Sequence, residues 1–532
     1  MTTGEPHGAP SGPPTDAPAR GPKRGSRRGR WLVSTLVALL AVGGVTAWRL
    51  DLVPSHLAFS LEPSSGPTSD GPTSDGPTTD DPTTGGAATG DPTAGAAADP
   101  APVVLGVTLP DPPPVEPPAP GFDRADTGSV DPAAVAQAVA ADLADPDLGR
   151  HVVVRIADLS TGRTVFESGT GPLLPASTTK LLTATAALSV LGPDRVFSTR
   201  VVTGSRAGDI VLVGGGDPYL LSRPVPRELA DEVYPERADV QALAAGTARS
   251  LRAQGTLRVR LGYDASLFEG PAAAPTWEPD YLPDEVVAPI SALWVDEGRP
   301  RSGYGRVADP AARAALVFSR ALAREGIKVL GPPREAVAST GADLLAQVDS
   351  APVARIVERV LEVSDNEAAE VLAHQVGLEG VGEGSFAGGV AGVTDALRRL
   401  GVPLAGMALY DGSGLSRADR LGPETLLSVL RLAADPAHPE LRPVLAGLPV
   451  AGFTGSLAER FTEGAPAGLG GVRAKTGTLT GVSALAGLAT DRDGSTMVFV
   501  MAADRVRLPD TLDAREALDR LAAALAGCHC SR

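Results

Sequence analysis

Ser177 and Lys180 stand three residues apart in Ser177-Thr178-Thr179-Lys180, after Pro175-Ala176 at what reads as the start of a helix, so both fall on one helical face. A seryl hydroxyl is a poor nucleophile until a base takes its proton, and a lysine in a desolvated, cation-rich pocket can act as that base. Arginine, always charged, cannot. This matters because the 532-residue chain has only four lysines and a single asparagine. Two of the lysines and the asparagine fall in three fragments: Ser177 to Lys180, Ser364-Asp365-Asn366 and Lys475-Thr476-Gly477. Arginine has displaced lysine almost everywhere else, so these positions mark places where neither Arg nor a generic polar residue serves.

The start of a helix also offers free backbone N–H groups, one of which can stabilise a tetrahedral oxyanion. Ser364 and Asn366 supply a hydroxyl and an amide, suited to shuttling a proton and gripping a peptide backbone. Lys475 brings a fixed positive charge and Thr476 a hydroxyl, which together suit a terminal carboxylate. Gly477 lets a substrate approach the backbone closely. If residues 474–480 form an edge strand, a substrate peptide can add beside it as a further strand. Each fragment alone also has an ordinary reading. Ser177 would cap a helix, Ser364-Asp365 would cap the helix beginning at Asn366, and Lys-Thr-Gly would be a surface turn. Their conjunction, in order and built from residues this chain otherwise avoids, favours acyl transfer.

Other hydrolytic routes lack their parts. The six histidines, His7, His56, His151, His374, His438 and His529, include none beside a G-x-S-x-G and form no H-E-x-x-H. Gly214-Gly-Gly is followed by Asp-Pro instead of opening a helix, which makes it a poor phosphate cradle. The only cysteines, Cys528 and Cys530, have no second ligand pair, so a peripheral tail, paired within or between molecules, is expected in preference to a metal site. No cofactor or metal is expected. The formal net charge of −16, without a clustered basic groove, argues against nucleic acid as a partner.

The elements that must bring these fragments together lie in the second part of the chain. Residues 1–30 form a basic tail, with Lys23, Arg24, Arg27, Arg28 and Arg30 just before the uncharged run Trp31 to Trp48. That run, 31–48, reads as a membrane anchor with its N-terminus held in the cytoplasm. A cleaved secretory signal is the rival reading, with Val45-Thr46-Ala47 as cleavage site and Arg27-Arg28 as a weak twin-arginine motif. Both readings export the chain beyond Trp48. Residues 49–127 read as a disordered linker: between Phe59 and Phe122 there is no aromatic residue and no Lys or Arg, and Gly-Pro-Thr-Ser/Thr-Asp recurs from Gly66 to Asp80. From about residue 128, β-branched runs alternate with Ala/Leu-rich amphipathic segments, an α+β pattern. A hairpin is expected over Val152–Phe166, helices over 181–191, 240–253, 311–325, 352–363 and 366–375, strands over 481–488 and 497–502, and a closing helix over 513–526. The fragments are far apart, 187 positions between Ser177 and Ser364 and 111 between Ser364 and Lys475. The first gap leaves room for an inserted domain, expected at 199–307 between catalytic parts at 128–198 and 308–532.

The three fragments, with Gly214-Gly-Gly-Asp-Pro218, Trp277-Glu-Pro-Asp280, Ala288-Pro-Ile-Ser-Ala292 and Tyr410-Asp-Gly-Ser-Gly-Leu-Ser416, make residues 130–527 resemble the D-alanyl-D-alanine carboxypeptidase/endopeptidases of the low-molecular-mass class C penicillin-binding proteins. The resemblance implies a penicillin-recognising fold, an antiparallel sheet flanked by helices, acting on peptidoglycan stem peptides and acylated by β-lactams. It makes Ser177 the acylated nucleophile, Lys180 the base and Ser364 a proton relay. Asn366 would bind substrate, Lys475 and Thr476 its carboxylate, and the N–H groups of Ser177 and Thr478 would form the oxyanion hole. Relatives usually carry a further strand-rich stretch after the Ala-Pro-x-Ser-Ala element. Here Val295-Asp-Glu-Gly-Arg299 leads within about ten residues to a helix at Asp309. The inserted domain is therefore expected to be abbreviated. Asp280 and Asp284 would either meet the amino group of a diamino acid in the stem peptide or belong to an acidic surface loop. Two competing functions fit the residues less well. A β-lactamase needs rapid deacylation, and an E-x-x-x-N element is impossible because the sole Asn is already used. An inactive wall-binding scaffold would show a damaged motif, and all three are intact.

Overall fold

The computed structural model describes residues 129–531, apart from 301, 303 and 304. The basic tail, the Trp31–Trp48 run and the linker to residue 127 lie outside the described residues. The chain order begins with α1 (Pro132–Leu143), β1 (Val152–Asp158), β2 (Thr164–Ser168), α2 (Lys180–Leu191), β3 (Ser198–Thr203), β4 (Asp209–Val213), α3 (Val240–Ala253) and β5 (Arg258–Asp264). It continues with α4 (Pro310–Arg324), β6 (Lys328–Val329), β7 (Arg334–Glu335), β8 (Leu344–Asp349), α5 (Val353–Val363), α6 (Asn366–Val381) and α7 (Phe386–Arg399). It closes with α8 (Pro423–Ala434), α9 (Arg442–Ala446), β9 (Val472–Leu479), β10 (Val482–Thr490), β11 (Thr496–Ala503) and α10 (Thr511–Gly527).

A five-stranded antiparallel sheet, ordered β2-β1-β11-β10-β9, joins the two ends of the folded region, with Val152 opposite Ala503 and Asp158 opposite Met497. Both faces are buried, and the period-two alternation of a strand divides its side chains between two cores. Met497, Phe499 and Met501 pack with Val135, Leu518 and Leu521 of α1 and α10, whereas Val498, Val500 and Ala502 pack with Leu181, Leu188 and Leu430 of α2 and α8. Burial on both sides is why β10 and β11 read as continuous apolar runs instead of alternating ones. Helix α2 is buried all round from Lys180 to Leu188. A helix of that kind sits at the centre of a fold, and it begins with Lys180, the last residue of the first fragment. The architecture is the expected α+β one, an antiparallel sheet flanked by helices.

A second sheet, β6-β5-β4-β3-β8 with β7 paired to β5, forms the inserted unit. Its strands and its packed helix take in residues past 307. β8 pairs antiparallel with β3, Ser198 opposite Asp349, and Phe318 and Leu322 of α4 pack against Val201, Leu261 and Leu345. The second sheet therefore extends to Asp349, and α5 follows it. Cys528 and Cys530 are bonded to each other beside the last helix.

Candidate active site

The Ser177-Thr178-Thr179-Lys180 fragment sits on a sharp turn. Ala176 has φ 47°, a left-handed conformation costly for a residue with a Cβ, and Ala176–Thr179 form a single 3₁₀ turn before α2 begins at Lys180. Residues held in this way tend to occupy functional sites, and this one precedes Ser177. Lys180 is fully buried. Its Nζ lies 3.0 Å from Ser177 Oγ, 2.7 Å from Asn366 Oδ1 and 2.7 Å from the carbonyl oxygen of Ser413.

The second fragment is a junction between two helices. Ser364 ends α5 in a left-handed conformation (φ 61°, ψ 40°), and Asp365 caps α6 by accepting from the Ala368 N–H at 2.9 Å. The capping role expected of Ser364-Asp365 thus falls to Asp365, which leaves the Ser364 hydroxyl facing Lys475, whose Nζ donates to it at 2.9 Å. Asn366 is the first residue of α6, and its Nδ2 donates to the Val286 carbonyl at 3.3 Å. The adjacent Glu367, buried with Arg306, accepts from Arg306 Nη2 at 2.7 Å and from the Ala288 N–H at 3.3 Å. Segment 286–288 of the insertion is thereby fastened to the start of α6.

The third fragment lies on β9, the edge of the five-stranded sheet. On its outer side the Ala474 N–H donates to Pro449 O at 3.0 Å. The N–H groups two and four residues on, those of Thr476 and Thr478, share that outward direction by strand periodicity. A Cβ on Gly477 would come within 2.6 Å of Pro175 O and 3.3 Å of Ala176 Cβ, so its absence lets β9 close against the Pro175–Thr179 turn. Lys475 is fully buried, and Thr476 Oγ1 meets Ser456 Oγ at 2.8 Å. Burial, then the charge of Lys180 and that of Arg460, hold the Lys475 ammonium well below its ordinary range. An arriving carboxylate acts in the opposite sense, since an anion favours the ammonium.

The structure therefore brings Ser177, Lys180 and Asn366 into one hydrogen-bonded group and Ser364 and Lys475 into a second, with the two lysines close enough for their charges to interact. Thr476, Gly477 and Thr478 form the adjoining strand edge. Asp280 is exposed, on a loop anchored near both groups by Trp277 Nε1 donating to Asp411 at 2.7 Å and by the Val286 carbonyl. Three contributors escape a reading of residue types. The Ser413 carbonyl acts through the backbone, Ser456 supports Thr476, and Arg417 ties the loop to the end of β9 by donating to Thr480 O at 2.9 Å while facing Glu278. Only the Tyr410–Ser416 stretch gives a hint of the first.

Residues 135–303 and 298–525 match the D-Ala-D-Ala carboxypeptidase 3 (S13) family. The chain belongs to that family. It is 38% identical over 443 residues to a carboxypeptidase of Mycobacterium tuberculosis, covering 80% of this chain and 91% of that protein. It is 37% identical over 431 residues to the carboxypeptidase DacB of Mycolicibacterium smegmatis, covering 79% and 90%. The fold is shared with penicillin-binding protein 4 of Haemophilus influenzae, at a TM-score of 0.58 and 20% identity over 73% of this chain and 98% of that one. As an S13 member, the chain is a serine-type D-Ala-D-Ala carboxypeptidase of the penicillin-binding class.

Proposed function

We propose that Ser177 attacks the carbonyl between the two terminal D-alanines of a peptidoglycan stem peptide, with Lys180 as its base. The observation that carries this is the buried Lys180 Nζ, 3.0 Å from Ser177 Oγ and held between the Asn366 and Ser413 oxygens. As the Oγ–C bond forms, the Ser177 proton passes to Lys180, and the outward N–H of Thr478 with that of Ser177 receives the oxyanion. The C–N bond then breaks. Ser364, bonded to Lys475, relays a proton to the departing D-Ala amine, and water later cleaves the ester. Lys475 and Thr476 hold the terminal carboxylate, and Asn366 orients the peptide laid along β9. Penicillins enter the same path and stay as the ester. Incubating the enzyme with a stem pentapeptide should yield tetrapeptide and free D-Ala, and Ser177→Ala should yield neither. Turnover by that variant would exclude this mechanism.

Endopeptidase action on D-Ala-containing cross-links uses the same bond type and belongs to the same reading. The exposed Asp280, and Asp284 on the same loop, would meet the free amine of a diamino acid at the third stem position.

For location, the sequence supports an anchor at Trp31–Trp48 with the catalytic domain exported on the linker. No helix among the described residues is long and apolar enough to cross a membrane. A first mature residue at or near Trp48 would replace the anchor with a cleaved signal.

A further inference from the structure

Behind the catalytic lysine lies a group of buried carboxyls that the mechanism does not use. Glu370, on the second turn of α6, is fully buried and reaches across to the Tyr410–Ser416 loop. Its Oε1 accepts from the Ser413 N–H at 2.8 Å and the Gly412 N–H at 3.1 Å, and its Oε2 accepts from Gly412 at 3.0 Å. The loop is held from its other side as well. Asp411 accepts from the N–H groups of Gly414 and Ser416, both at 2.7 Å, Asp419 accepts from the Tyr410 N–H at 2.8 Å, and Thr183 of α2 donates to Gly412 O at 2.6 Å. Burial raises Glu370 well above the ordinary carboxyl range and pushes Asp419 up to about 10, with the Asp411 charge adding to both. The Ser413 hydroxyl finds no hydrogen-bond partner among the described residues, so what this residue gives the site is its backbone.

We propose that Glu370 is a positioning residue for the base: through the N–H groups of Gly412 and Ser413 it holds the Ser413 carbonyl against Lys180 Nζ and so aims the lysine lone pair at Ser177. A neutral amine has two hydrogens and one lone pair. Asn366 Oδ1 and Ser413 O are carbonyl oxygens that can only accept. When both take a hydrogen from Lys180, the lone pair is left facing the Ser177 O–H. Take away one acceptor and the amine can rotate, offering a hydrogen to Ser177 instead. This inference rests on the assignment of Lys180 as base.

The test separates reach from charge. Glu370→Asp keeps the acid but withdraws it by one C–C bond, about 1.5 Å, beyond the Gly412 and Ser413 N–H groups. Glu370→Gln keeps the Oε1 acceptor that takes both N–H groups, loses the ionisable group and gives up only the second contact of Oε2 with the Gly412 N–H, where its NH2 would stand. Penicillin acylation measured by stopped flow should show Glu370→Asp losing more than tenfold in the acylation step, with the preceding non-covalent complex equally tight. Glu370→Gln should stay within fivefold of the parent on both. An aspartate variant that acylates like the parent, or a glutamine variant that loses more than fivefold at an unchanged melting temperature, would overturn the proposal. Should the aspartate variant fail to fold, the glutamine result decides by that same threshold. The penicillin adduct on Ser177 of the parent enzyme is read in the same samples, so a failure of the underlying mechanism is distinguishable from a failure of this inference.

Discussion

The two buried lysines of the site have the same side chain and opposite surroundings. Lys180 rises from an all-buried helix, is walled by Ser177, Asn366 and the Ser413 carbonyl, and has the Tyr410–Ser416 loop clamped behind it. Lys475 is on an edge strand, bonds to Ser364 and the Thr476 carbonyl, and adjoins backbone N–H groups that point away from the sheet. The first environment has fixed acceptors and suits a group that must take a proton in one direction. The second suits a group that must meet an incoming anion. The side chain being the same, what separates the two environments is the element that carries each lysine.

Substitutions on the two sides should separate these roles, with the largest effects on the base side. Ser177→Ala should abolish covalent penicillin labelling. Lys180→Arg should lower the acylation rate by about 10²–10⁴-fold even though the charge is kept, because a guanidinium cannot accept the proton. Retention of a tenth of the rate would place the base elsewhere. Next comes Gly414→Ala in the loop behind Lys180. Gly414 has φ 82°, and a Cβ there would lie 1.9 Å from the Ala176 carbonyl oxygen, so the nucleophile turn must shift. Displacements of this kind cost on the order of 10²-fold, read as the penicillin acylation rate of a folded variant.

On the anion side the losses should be smaller and depend on the substrate. Lys475→Ala should cost about 10- to 100-fold in kcat/KM for a substrate with a free terminal carboxylate, the worth of a charge-assisted hydrogen bond. The C-terminal amide of that substrate should lose much less. The pH dependence has a definite sign. The free enzyme's Lys475 is held below its ordinary range, and a bound carboxylate raises it, so binding takes up a proton and KM rises as pH increases. Lys475→Arg should flatten that rise, because arginine keeps its charge. A KM independent of pH in the parent enzyme would mean that the carboxylate is held by another group.

The smallest effect is expected at the exposed loop. Asp280→Asn should reduce discrimination between stem peptides with and without a free amine at the third position by no more than about fivefold, in keeping with an exposed ion pair. Unchanged discrimination would leave Asp280 as a surface carboxylate.

Legibility in the sequence divides along similar lines. The three fragments are readable because their residue types are scarce here, and α2, α3, β10 and β11 because long apolar or amphipathic runs leave few alternatives. Helix α7 is not among the helices the sequence predicts. Gly388, Gly389 and Gly392 depress its propensity, yet they let it pack onto α6, where a Cβ on Gly389 would come 2.9 Å from Ala373 O. That the second sheet takes in residues past 307 is not legible, because β8 looks local and reveals its sheet only through pairing with β3, on which α4 packs. Backbone contributors stay hidden for a related reason. The Ser413 carbonyl and the left-handed Ala176 carry no signature in residue type, since any residue has a carbonyl and only the fold decides where it points.

The central claim is that Ser177 is the acylated nucleophile. Intact-mass analysis after incubation with penicillin, with peptide mapping of the product, addresses it directly. A single adduct of one penicillin mass is expected, located on the peptide containing Ser177 and absent from Ser177→Ala. An adduct on any other residue, or labelling that survives Ser177→Ala, would contradict it.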